Sequence, residues 1–259
     1  MKEITDGKVL TSRDGSVLTV TVNRPEVRNA CDMETVRALH RVFVEFEADD
    51  SLNVAVLTGT AGNFCAGADL GELASGASIG FCWAGEDGGV TQTRPRKPLV
   101  AAVEGYAVAA GLALAVWCDL RVVSKTAVFG VFCRRFGGPM PNGATVRLPR
   151  IVGESRALHM MMTGRAVDAD EAIRIGLADR LVDAGEALSA AQNLAHEMAA
   201  FPQMALRSDR WSVIDQWNYP EDEAIRLEIE GSRPTFHHQF QAGAGRFVDG
   251  IGRHGKFDE

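Results

Sequence analysis

Two short segments place small residues where bare backbone amides could do chemistry: Cys65-Ala66-Gly67-Ala68-Asp69-Leu70 and Gly105-Tyr106-Ala107-Val108-Ala109-Ala110-Gly111. Both stand just before an expected helix. The first amides of a helix lack an internal acceptor and sit at the positive end of its dipole. Small side chains let a ligand or a second backbone come close. Brought together, two such amides form a two-donor hole for a carbonyl oxygen and stabilise negative charge that develops there. The plain alternative is a tightly packed core helix behind a glycine turn.

Titratable side chains add further candidates. Cys133 is followed by Arg134 and Arg135, so it could act as a nucleophile or weak acid if those cations lower its pKa. Otherwise it is a packed thiol. Glu72, Glu86 and Asp87 lie on or near Ser75 to Gln92, a Gly- and Ser-rich stretch without clear period that reads as a mobile loop or loose helix. These acids could swing in as a general acid or base, or stay solvated. Asp69 reads first as a helix cap, and Glu104 has no evident role. His237-His238 reads as a surface pair without a third ligand, so no metal site is expected. Two textual matches lack context. Gly76-Ala77-Ser78-Ile79-Gly80 fits a nucleophile elbow without its strand and helix. Gly250 to Gly255 fits a dinucleotide loop with no βαβ unit to follow.

The elements that must position these groups read in order. Val9 to Val22 alternates around Asp14-Gly15, a hairpin signal. Asp32 can cap a helix in which Val36, Leu39, Phe43 and Phe46 recur at helical spacing. Asn53–Thr58, Leu99–Val103, Leu120–Val123 and Ala127–Gly130 read as short buried strands. From Asn142 the chain reads as mainly helical, near Glu154–Thr163, Asp168–Ile175, Glu186–Ala200, Gln203–Gln216 and Glu221–Glu230, with Pro149 and several glycines as punctuation. The expectation is an α/β part, residues 1–200, followed by a helical part, residues 201–259.

The chain has 259 residues, 46% hydrophobic and 24% charged, with net charge −7. That composition fits a globular protein and carries no basic stripe for nucleic acid. No apolar run is long enough to cross a bilayer, and the first ten residues do not read as a signal peptide. The five cysteines, Cys31, Cys65, Cys82, Cys118 and Cys133, are scattered and odd in number, which points to reduced thiols in a cytoplasm.

Asn23-Arg24-Pro25-Glu26-Val27-Arg28-Asn29-Ala30, then Phe64-Cys65-Ala66-Gly67-Ala68-Asp69-Leu70, then Gly105 to Gly111 with Cys118-Asp119-Leu120, then Phe129-Gly130 and Gly143 to Pro149 occur in this order. In content and spacing they resemble the crotonase superfamily, the enoyl-CoA hydratase/isomerase family, over nearly the whole chain. The resemblance implies a spiral of stacked ββα turns followed by a helical trimerisation region, and a homotrimer or a hexamer built from trimers. It implies an acyl-CoA thioester as ligand, no cofactor beyond that coenzyme A, and oxyanion amides on Ala68 and Ala110. It places the coenzyme near Arg28, Ala30, Ala66, Asp69 and Leu70, with Arg253 or Lys256 toward the 3′-phosphate, sometimes from a neighbouring subunit.

The pattern departs from the family where hydratases carry two glutamates. Those positions hold Ala113 and Cys133, and the aspartate of the family's dehalogenase falls where Pro141 or Asn142 stands. Three functions stay open: an enzyme of the hydratase/isomerase group, a non-catalytic acyl-CoA binder, and another crotonase reaction (isomerase, decarboxylase or thioesterase) using a loop acid such as Glu86 or Asp87.

Overall fold

The Asp14-Gly15 turn starts the sheet as its sequence predicts. β1 (Val9–Asp14) and β2 (Val17–Val22) pair antiparallel from Val9↔Val22 to Asp14↔Val17, with Gly15 at φ 55 between them. Asp32 then caps α1 (Met33–Ala48) by accepting the Thr35 N–H at 2.8 Å, and Val36, Leu39, Phe43 and Phe46 are buried. β3 (Val54–Gly59) runs parallel to β2. Next comes the short α2 (Leu70–Ala74), capped by Asp69. The computed structural model describes residues 3–4, 7–76 and 89–251 of the chain.

The turn then repeats. β4 (Leu99–Val103) and β5 (Tyr106–Val108) flank Gly105 and lead into α3 (Ala110–Trp117). β6 (Leu120–Ser124) and β7 (Val128–Gly130) follow. Each such turn gives one strand to each of two sheets. β1-β2-β3-β4-β6-β9 form the larger and β5-β7-β8 the smaller, with β8 at Ala166–Asp168 and β9 at Arg180–Val182. Inner strands pair parallel, β4 on β6 through Val100↔Leu120 and β5 on β7 through Tyr106↔Val128. Parallel strands are covered on both faces, and every residue of β4 is buried. All eight residues of α3 are buried as well, as expected of a helix apolar all round.

Buried cations close the ends of elements. Lys97, 3% exposed, donates to Phe46 O at 2.8 Å and Asp49 O at 2.7 Å, which satisfies carbonyls at the end of α1. Arg121 donates to Leu177 O and Cys118 O and pairs with Asp179 at 3.0 Å.

The later helices are α4 (Ala144–Val152), α5 (Glu154–Thr163), α6 (Ala169–Arg174), α7 (Ala187–Ala200), α8 (Gln203–Asp215), α9 (Glu221–Thr235) and α10 (Gln241–Val248). The chain divides into two units, Met1–Met198 and Ala199–Glu259. In the second, α8 packs on α9, and Trp217, Phe236, Phe240 and Phe247 are exposed.

Three sequence expectations change. Pro149 does not interrupt the chain but lies inside α4; proline removes one donor toward the preceding turn, and a short helix that ends at Gly153 carries that single loss. α9 likewise runs on through Pro234. The chain after Asn142 also returns twice to the sheets, as β8 and β9, strands of three residues that are too short to show a period.

Candidate functional site

The segment after β3 is held by backbone bonds on both sides. Cys65 N–H donates to Tyr106 O at 2.8 Å, and Val108 N–H to Cys65 O at 3.1 Å. On the other side Ala66 N–H donates to Arg28 O, Cys31 N–H to Gly67 O, and Asp69 N–H to Cys31 O. Alternation along this ladder leaves the Ala68 N–H out. Opposite it, Ala109 N–H is taken by Gly130 O, while Ala110 opens α3. Its amide is one of the orphans that every helix start leaves. Neither Ala68 N–H nor Ala110 N–H meets an acceptor among the described residues.

Glycine brings the two segments together. A Cβ on Gly111 would stand 2.0 Å from Cys65 O, and one on Gly67, at φ 107, would stand 3.2 Å from Ala110 N and 2.9 Å from the Ala109 methyl. Only hydrogen fits at either place. Ala109 itself sits at φ 51, ψ −121, a conformation that costs an L-residue ~1–3 kcal/mol. The methyl at 109 therefore strains the backbone beside the free amides.

Ala68 and Ala110 both line one cavity of about 410 Å³, together with Ala66, Leu70, Cys133 and Asn142 among others. The structure thus gathers five of the sequence-predicted residues, Ala66, Ala68, Leu70, Ala110 and Cys133. Arg28, Ala30 and Asp69 are not in the lining. Arg28 is exposed, at φ 52, with its guanidinium 5.3 Å from the centre of the Tyr106 ring. Ala30 is buried and its carbonyl accepts from Arg24. Glu86, Asp87, Arg253 and Lys256 lie outside the described residues.

The acids near the site are engaged in structure. Asp69 pairs with Arg24 at 2.9 Å and accepts the Gly71 and Glu72 amides. Burial pushes its carboxyl up, and these bonds overcome that and hold it below the usual range. Arg24 also reaches Asp32 at 3.2 Å, and Lys8 bonds Asp32 at 2.6 Å. Burial raises Asp32 too, but the Lys8 and Thr35 bonds and the Arg24 charge bring it to about 2. Glu72 is no loop acid: it lies in α2 and accepts the Met33 N–H at 2.9 Å. Glu104 holds the start of α7 by accepting the Gly185 and Ala187 amides, a partnership no local signal could reveal.

The arginines beside Cys133 in sequence do not leave it with a lowered pKa. Burial pushes its thiol up, and the Arg134 charge only partly offsets this. Arg134 is turned to Met161 O, and Arg135 to Gly164 O and the Phe132 ring. The sulfur is therefore a protonated thiol at neutral pH. Ala113 is fully buried in α3 and not in the cavity wall. Asn142, marked in the sequence only, with Pro141, as standing where the family's dehalogenase carries its aspartate, lines the cavity. Among the described residues no three His, Cys, Asp or Glu side chains converge on a metal position, and no helix is long and apolar enough to cross a membrane.

The family model for enoyl-CoA hydratase/isomerase matches residues 12–254. The chain belongs to that family. It is 33% identical over 229 residues to the enoyl-CoA hydratase EchA19 of Mycobacterium tuberculosis, covering 85% of each chain. It is 37% identical over 200 residues to a carnitinyl-CoA dehydratase of Proteus mirabilis, covering 76% of each. A crystal structure of the enoyl-CoA hydratase EchA1 of Mycobacterium marinum superposes with a TM-score of 0.89 at 31% identity, covering 94% of this chain and 96% of that one. The fold is thus the crotonase type, mixed α/β with a helical C-terminal region. Within this family member, the N-R-P-x-x-x-N-A signature has a structural task. Asn29, fully buried, donates to Thr60 O and Asn63 O, and Arg24 ties Asp32 to Asp69.

Two outcomes follow for stability. Asp32 has a folded pKa of about 2 against 3.8, so its contribution of ~1–2 kcal/mol is full above pH 4 and fades as pH falls toward 2. Denaturant titrations from pH 5 to pH 2 should show the stability gap between wild type and Asp32→Asn closing over that window. Ala109→Gly relieves the positive φ at some cost in chain entropy. It should stabilise by about 1 kcal/mol and raise the thermal midpoint by about 2–4 °C.

Proposed function

We infer that the cavity takes the acyl end of a coenzyme A thioester and that the Ala68 and Ala110 N–H groups bond its carbonyl oxygen. The observation that carries this reading is a pair of main-chain donors, unpartnered among the described residues, on two residues that line one cavity. Two amide donors draw electron density toward the thioester oxygen, which makes carbon 3 of an enoyl group electrophilic and carbon 2 of an acyl group acidic. Each such donor is worth ~10²–10³ in rate.

The reaction that fits is addition or removal of water across the 2,3 double bond: oxygen to carbon 3, a proton to carbon 2. Names of relatives, a hydratase and a dehydratase, support that class. With Ala113 and Cys133 at the usual glutamate positions, the proton must move through another group, and Glu86 or Asp87 is proposed for it. The coenzyme would run past Arg28, Ala30 and Asp69, with Arg253 or Lys256 at its 3′-phosphate. No cofactor is called for beyond the coenzyme of the substrate. We assign the protein to the cytoplasm, as a trimer or a dimer of trimers whose contacts would use the apolar side chains exposed on the second unit. A second reading is favoured by one observation: among the described residues no carboxylate lines the cavity. It is a binder that holds acyl-CoA without converting it.

The test is incubation of the protein with enoyl-CoA and acyl-CoA thioesters, followed by calorimetry and mass spectrometry. Hydration well above background establishes the enzyme; tight binding without product establishes the binder; no binding overturns both. Gly67→Ala puts a methyl between the donors and should lower binding and turnover by ~10²-fold. Glu86→Gln and Asp87→Asn should each lower turnover by ~10²–10⁴ if they carry the proton, with binding unchanged.

A further inference from the structure

The cavity wall is apolar at nearly every point away from its two free amides. Among the described lining residues the polar side chains are the Cys133 thiol and the Asn142 amide, and Asn142 alone carries an oxygen. It is 4% exposed and lines the cavity, and its Oδ1 meets no donor. The other orphaned groups of this region, Thr91 Oγ1 and Arg147 Nη1, are not in the cavity wall. A buried amide left unbonded costs ~1–3 kcal/mol, and native proteins carry few of them.

Structural reasons for an asparagine here fail one by one. The left-handed residue of this turn is Gly143, at φ 80, and Asn142 is not among the positive-φ residues. Gly143, not Asn142, stands at the cap of α4, and no side chain bonds that cap. Packing does not ask for an amide either, since its neighbours in the wall include Leu73, Phe132 and Met140. Leucine would fill similar space beside them with no polar atom to leave unbonded.

A ligand would supply the missing partner. We propose that Asn142 determines specificity: it pairs with a hydroxyl on the acyl group, so that the cavity takes oxygenated acyl chains in preference to unsubstituted ones. The proposal rests on the acyl-CoA reading above. An amide suits a hydroxyl because Oδ1 accepts its proton and Nδ2 donates to its oxygen. The soft χ2 torsion lets either atom turn to the ligand. A neutral amide cannot take a proton away, so Asn142 orients the acyl group and leaves proton transfer to others. A site with such a group rejects the analogue that leaves it unpaired.

The experiment is calorimetry of the full chain with butanoyl-CoA, both enantiomers of 3-hydroxybutanoyl-CoA, and 4-hydroxybutanoyl-CoA. Wild type should bind one hydroxylated thioester ~10–100-fold more tightly than butanoyl-CoA. In Asn142→Leu that ratio should fall to about one, while the affinity for butanoyl-CoA stays the same or rises. Asn142→Ala gives the same readout if the leucine variant does not fold, as judged by circular dichroism. Equal binding of all four thioesters by wild type, or a preference that survives in both variants, overturns the role of Asn142 and leaves the acyl-CoA reading standing. Failure to bind any of the four overturns both.

Discussion

The start of α3 presses against the carbonyl of Cys65 with no room for a methyl group between them. This backbone-to-backbone contact, at Gly111, sets where the helix begins relative to the strand extension beside it. Gly67 makes the reciprocal approach to Ala109 and Ala110. Each remaining feature of the site serves that contact. The uniformly apolar α3 has nowhere to go but the interior. Arg24 gathers Asp32 and Asp69, and Asn29 gathers Thr60 and Asn63, so the facing segment cannot retreat. The cost is visible at Ala109, whose methyl is kept in a conformation that glycine would adopt freely.

Among the described residues, charge stands around the site and no charged side chain lines the cavity. Arg24, Lys8, Asp32 and Asp69 neutralise one another beside the cavity, where they act as braces. The cavity wall presents dipoles: two amides, the amide side chain of Asn142 and the protonated thiol of Cys133. Fixed dipoles in an apolar surround act more strongly than they would in water.

Much of this was legible in the residues. The Asp14-Gly15 hairpin, the Asp32 cap and the Val36-Leu39-Phe43-Phe46 stripe follow local rules, so the sequence states them directly. The two small-residue segments pointed to a donor pair because backbone amides leave their mark as glycine and alanine. What failed depended on distance or context. β5, β8 and β9 are too short to show alternation and exist because neighbouring strands offer them partners. Pro149 looked like a break because the tolerance of a short helix for one missing donor is not written locally. Arg134 and Arg135 adjoin Cys133 in sequence but turn away from it, and burial then sets its pKa. Glu104 and Glu72 meet amides far along the chain. Asn142 showed in the sequence only as a departure from a family pattern, and its place in the cavity wall depends on neighbours far from it in kind.

The two donors belong to the main chain, at positions occupied by alanine. Their presence is therefore insensitive to which small residue mutation places there, while the glycines beside them are not free to change. The donor pair is set by the backbone path, whereas the groups beside it are set by side chains. Substitutions around the cavity therefore change the side chains that line it before they change the two backbone N–H groups.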